Sequence, residues 1–276
     1  MMKRNSSKHI FSSVMHTVLI VTTSLVLGLT ACRSEDLYVH REVLDVNSLS
    51  DYFPLAKGNY WKYSGFAAQA VSGGKIVEKP IRITMEVKDV IEFGDVKLCI
   101  MSGHPIDAAW ALKPEHNKEH IVTIPPKKYG YLFVSNKIFY ISEKKLALLI
   151  KCLQEPPAHQ AKDCWFEGNF LNQDNLEFDF PLFKKKRFGP LTWLGRPDNK
   201  YFWYVKDKLI KYSLEKGVVK SVTEFELIHN TFPGRIELRF QQFIGIRKWS
   251  YIHHGTKAEV DVTLIDYDLD SNINTN

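Results

Sequence analysis

His116-Asn117-Lys118-Glu119-His120 is the arrangement in this chain best suited to chemistry. Two histidines four residues apart hold a zinc ion when a helix brings them onto one face. Glu119 would then act as general base, with a downstream carboxylate as third ligand. That pattern would make the chain a zinc-dependent hydrolase. The flanking residues oppose it. Pro114 precedes the pattern and the strand-like Ile121-Val122-Thr123-Ile124 follows it, leaving little room for a helix. A solvated loop is the favoured reading, so no metal ligand and no cofactor is expected. His104 joins as a third ligand only if folding brings it there.

Other chemical patterns are weaker. Ser142-Glu143-Lys144-Lys145 lacks the companion elements that an acylating serine needs. Asp266, Asp268, Asp270 and Asn272 lack the glycine and the bidentate glutamate of a calcium loop. His253-His254-Gly255 reads as a turn. No G-x-S-x-G and no phosphate-binding glycine loop is present. Cys99, inside Val96-Lys97-Leu98-Cys99-Ile100, reads as a small buried hydrophobe rather than a nucleophile. The chain is therefore not expected to be an enzyme. Lys184-Lys185-Lys186-Arg187 is the densest positive run. It suits contact with anionic lipid headgroups or lipopolysaccharide phosphates, or else a solvated turn. Tyr129-Tyr131-Phe133 and Tyr201-Phe202-Trp203-Tyr204 would line a ligand groove or serve as ordinary strand residues.

The N-terminus says where the chain goes. Lys3, Arg4 and Lys8 precede an apolar run, Val18–Leu29, that is too short to span a bilayer and the right length for a signal-peptide core. Leu29-Thr30-Ala31-Cys32 ends it and resembles the lipobox of bacterial lipoproteins. The resemblance implies cleavage before Cys32, lipid attachment at Cys32, and a membrane-anchored protein of the cell envelope. Arg33 stands where an aspartate would resemble an inner-membrane retention signal, so in a Gram-negative cell the outer membrane is favoured. The 276-residue chain carries 37 basic and 31 acidic residues, a net charge of +6. Losing the three basic residues of the signal peptide leaves 245 residues at +3. That near-neutral body, outside the cytoplasm, is not expected to bind nucleic acid.

Export permits disulfides. Cys152 and Cys164 flank Leu153–Asp163, a segment with Pro156-Pro157, and their pairing is expected. Residues 32–51 are polar and read as a tether. From 52 to 268 the chain reads as mainly β: a curved antiparallel sheet, open barrel or sandwich, with one short helix over Glu143–Cys152. Ile81, Ile83, Met85 and Val87 alternate with polar residues, and 80–101 reads as a long hairpin. In the second half Lys206-Asp207-Lys208 reads as a turn between strands. Phe53-Pro54-Leu55 returns as Phe180-Pro181-Leu182. This leaves open whether 52–175 and 176–268 are two similar halves or the match is coincidence. Residues 269–276 form a polar tail.

The stretch Asp51–Gly65, DYFPLAKGNYWKYSG, resembles the start of a group of poorly characterised bacterial lipoproteins that share F-P-L-x-x-G-N-x-W-x-Y after the lipobox. Phe243-Ile244-Gly245-Ile246-Arg247-Lys248 resembles a strand near their C-terminus. The resemblance implies a β-rich exported protein and carries over no catalytic residue. The expected function is a non-catalytic binding or scaffold module. An apolar ligand or an envelope protein is its expected partner. The alternatives are a zinc-dependent hydrolase through His116, Glu119 and His120, and a subunit of an envelope complex.

Overall fold

The structure is a computed structural model that describes residues 52–154, 169–190, 201–215, 218–230 and 234–269. Among these are thirteen strands: β1 Tyr60–Ala70, β2 Ile76–Phe93, β3 Val96–Ser102, β4 Val122–Thr123, β5 Lys128–Val134, β6 Lys137–Ile141, β7 Leu176–Asp179, β8 Arg187–Phe188, β9 Trp203–Glu215, β10 Val218–Asn230, β11 Gly234–Gln241, β12 Gly245–His253 and β13 Ala258–Asp268. Twelve of them form one continuous sheet in the order β7-β6-β5-β3-β2-β1-β13-β12-β11-β10-β9-β8. Every neighbouring pair on that path is antiparallel, while the short β4 lies parallel beside β2. The mainly β, antiparallel expectation holds.

The sheet curls until its two edge strands, β7 and β8, approach each other. Side chains close the remaining gap. Lys186, only 11% exposed, donates to the carbonyls of Asp179 and Pro181 and pairs with the Asp179 carboxylate. Its side chain therefore laces one edge of the sheet to the other. The segments 52–175 and 176–268 are not separate bodies. They share this sheet through β1–β13, and β7, from the second segment, pairs with β6 of the first.

The long hairpin is present as β2 and β3. The helix expected over Glu143–Cys152 is α1, Glu143–Gln154, whose Leu146 and Leu149 are buried. Leu146 packs over Gly130, where a side chain would leave it too little room. The turn expected at Lys206-Asp207-Lys208 is absent. β9 runs straight through it, because the register slips there and makes Lys206 the extra residue of a β-bulge.

The two stretches that carry the lipoprotein resemblance meet in space. Phe53 packs edge-on against Trp61, Phe178 and Phe240 at 5.5–5.9 Å between ring centres. It also lies on the backbone of Gly245, whose φ of 101° and lack of a Cβ permit the contact. Trp61 Nε1 donates to the carbonyl of Ile244 at 2.6 Å, and Tyr63 Oη donates to that of Ile246 at 2.9 Å. Asn59 Nδ2 donates to the carbonyl of Pro54 at 2.7 Å. The sequence signature is thus a clasp joining β1 to the start of β12. Each of these three donors has a carbonyl partner.

Candidate functional site

A second buried aromatic group is built differently. β5 alternates, so Tyr129 and Tyr131 share one face, and Tyr140 of β6 stacks on Tyr129 at 5.4 Å. Trp249 of β12 joins them from across the sheet. After β3, Gly103 (φ 77°) lies so close to the Thr84 carbonyl that a side chain would collide with it. The turn brings His104 among these rings, with centroids at 5.2 Å from Tyr129, 5.5 Å from Tyr140 and 5.9 Å from Trp249. Pro105–Trp110 then forms a 3-10 turn packed on β13 and β1.

Glu177 completes the group. Ile138 pairs with Phe178 and Phe139 with Leu176, so Glu177 has no residue opposite and is the bulge of β7. A bulge redirects one side chain within an otherwise regular strand. Glu177 Oε1 lies 4.0 Å from His104 Nε2, longer than a hydrogen bond and within the reach of a single bridging group.

The protonation states follow from burial. His104 Nδ1 accepts the Ile106 N–H at 3.1 Å, so the neutral ring carries its proton on Nε2. Burial lowers its pKa to about 3, and raises that of Glu177 to about 7. Tyr129 and Tyr131 are pushed well above the ordinary phenol value by the same desolvation, so both stay protonated. Burial also raises Asp107, on the 3-10 turn, with Lys127 at 3.9 Å opposing it.

His104 Nε2, Tyr129 Oη, Tyr131 Oη and Trp249 Nε1 are all buried, and none has a hydrogen-bond partner among the described residues. Each orphaned donor costs about 1–3 kcal/mol if nothing meets it. The cluster therefore offers four protonated groups and one carboxyl of shifted acidity to whatever bridges them. With Nδ1 occupied as an acceptor and Nε2 protonated, His104 has no lone pair left for a metal. Among the described residues no three His, Cys, Asp or Glu side chains group as metal ligands.

The zinc pattern is not assembled. His116 lies on a 3-10 turn, Pro114–Lys118, and its Nδ1 accepts the Lys113 N–H. His120 lies beyond that turn and is exposed. There is no α-helix here to bring the two histidines onto one face. The run Lys184–Arg187 is divided. Lys184 pairs with Asp207 at 2.9 Å, Lys185 is exposed, and Arg187 lies over the rings of Phe202 and Tyr204. Lys186 is turned inward, which corrects the expectation that it meets an outside anion. Cys99 is buried, donates to the Leu55 carbonyl, and has its thiol pushed up to about 12. Cys152 is disulfide-bonded. Cys164, and with it the expected pairing, lies outside the described residues, as do Cys32, the signal peptide and the tether.

Part of this site is legible along the chain. Tyr129 and Tyr131 were visible as an alternating pair and His104 as a stray third ligand. Nothing local marks Glu177 or Trp249, because a bulge and a contact across the sheet leave no pattern in their own neighbourhoods.

No family model and no curated protein matches the chain. Two solved structures are similar to it. One is a Bacteroides fragilis chain assigned as an exported protein with a YmcC-like fold. It is 9% identical over 77% of this chain and 96% of its own, with a TM-score of 0.29. The other is a Parabacteroides distasonis chain assigned as a lipoprotein, 9% identical over 79% of this chain and 98% of its own, with a TM-score of 0.31. Both assignments concern export or lipidation and name no ligand or reaction.

Proposed function

We propose that the chain is a lipid-anchored protein of the cell envelope, attached through Cys32, whose β body works by binding and not by catalysis. The observation that carries this reading is the set of four buried donors on His104, Tyr129, Tyr131 and Trp249 that have no partner among the described residues, with Glu177 4.0 Å from His104. Hydrogen-bonding groups held among aromatic rings and directed at no described residue suit the recognition of a small molecule. The ligand proposed is a small polar molecule with acceptor atoms for His104 and the tyrosines. This differs from an apolar ligand, because the groups without a described partner here are hydrogen-bond donors. Outer-membrane residence is proposed on Arg33 alone.

Native mass spectrometry of protein extracted in mild detergent tests the binding reading. A non-covalent adduct is expected on the wild type and should be missing from a folded Glu177→Leu variant. A bare wild-type mass overturns it. The anchor is tested separately: Cys32→Ser should abolish labelling by radioactive palmitate, and retained labelling would refute attachment at Cys32.

A further inference from the structure

β9 and β10 outrun the sheet that carries them. β8 covers β9 only at Trp203 and Tyr204, and β11 stops pairing with β10 at Glu224. Among the described residues, the two strands pair only with each other from Ile210 to Val222, as a two-stranded ribbon. Such a ribbon is marginal in water unless something covers a face. Ile210 and Tyr212, two residues apart on one face, are 53% and 72% exposed. On the ribbon Lys206 pairs with Glu226 and Lys211 with Glu224, while Lys208 is exposed on the same face as Ile210 and Tyr212. Phe183, half exposed, and Lys185 sit at the ribbon's base, where the Lys185 N–H donates to the Val205 carbonyl. Lys184 is tied to Asp207 of the ribbon. Among the described residues, Lys185 and Lys208 have no acidic partner.

We propose that the β9–β10 ribbon and the Phe183–Arg187 turn form a membrane-contact surface that rests on anionic lipid headgroups. Exposed aliphatic and phenolic side chains fit the boundary between acyl chains and headgroups, and unpaired lysines around them fit the headgroup phosphates. The inference rests on the proposed lipid anchor. A tether of about 20 residues reaches at most about 70 Å, so the body of an anchored chain stays beside the bilayer.

The test uses the full lipidated protein in vesicles of phosphatidylcholine, with or without phosphatidylglycerol. A nitroxide is placed through Tyr212→Cys, and a control through Asp95→Cys on the β2–β3 turn. Power-saturation spectroscopy compares access of oxygen and of a water-soluble nickel chelate. On vesicles containing phosphatidylglycerol the label at 212 should lose nickel access and gain oxygen access, while the label at 95 should not. High salt, or the triple change Lys184→Gln, Lys185→Gln, Lys208→Gln, should reverse this. Equal access at 212 and 95 overturns the proposal, as does equal immersion without the anionic lipid. Dipolar broadening between labels overturns it in favour of a second copy of the chain. Failure of the protein to float with any vesicle refutes the anchor instead, so the two readings fail separately.

Discussion

The clasp and the His104 cluster use nearly the same residues in opposite ways. Each buries a tryptophan and tyrosine. In the clasp, Trp61 and Tyr63 both spend their donors on carbonyls of the strand they hold. In the cluster, Trp249, Tyr129 and Tyr131 spend theirs on no described residue. A satisfied donor fixes two strands together, whereas an orphaned one lowers stability unless a ligand or water meets it. The same side chains thus mark a structural region in one place and a candidate site in the other. What separates them is the partner, not the residue type.

The largest expected effect lies in the clasp. Phe53→Ala removes the ring that joins Trp61, Phe178, Phe240 and Gly245, and should cost about 3–5 kcal/mol in urea unfolding. A loss under about 1 kcal/mol would show that the clasp does not hold the barrel.

The two tryptophans give the direct contrast. Trp61→Phe removes the donor that meets the part-buried Ile244 carbonyl and should cost about 1 kcal/mol. Trp249→Phe removes an orphaned donor, so hydrogen bonding gives it no comparable penalty. Equal losses, measured by the same unfolding curves, would erase the distinction between the regions.

A pH series sharpens it. Burial raises Glu177 from an ordinary value near 4.5 to about 7. Its favourable contribution is fully present below about pH 4.5 and is lost as the pH rises through about 7. His104 is shifted the other way, from 6.5 to about 3, so its contribution is present above pH 6.5 and lost as the pH falls toward 3. Glu177→Gln should flatten the decline in stability between pH 4.5 and 7 and leave the acid limb intact. An unchanged slope would place Glu177 in solvent.

The smallest expected effect is in the hydroxyls of the cluster. Tyr129→Phe and Tyr131→Phe should leave the thermal midpoint of the ligand-free protein unchanged or slightly raised. A clear drop would mean that these hydroxyls already have partners.

Much of the architecture was legible along the chain. Alternation at Ile81–Val87 marked β2, Leu146 and Leu149 marked α1, and Pro114 with the strand-like Ile121–Ile124 argued against a helix through His116, all because each signal is carried by neighbouring residues. Other features were misread for the same reason. Lys206-Asp207-Lys208 has the composition of a turn, yet continuous pairing with β10 holds it extended. Lys186 has the composition of a surface charge, yet the closing edges of the sheet draw it inside.

The sequence by itself determined the strand-rich body and the residues of the clasp, and it alone carries the expectation of an export signal and of a lipid on Cys32. These depend on local composition, on period-two alternation, or on a contiguous motif. Only the tertiary structure decided that Phe53 meets Gly245, that Glu177 faces His104, and that Trp249 is orphaned where Trp61 is satisfied. The physical reason is that a hydrogen-bond partner across a sheet is set by register and closure. Those are properties of strands up to 183 residues apart in the chain, as with Trp61 and Ile244.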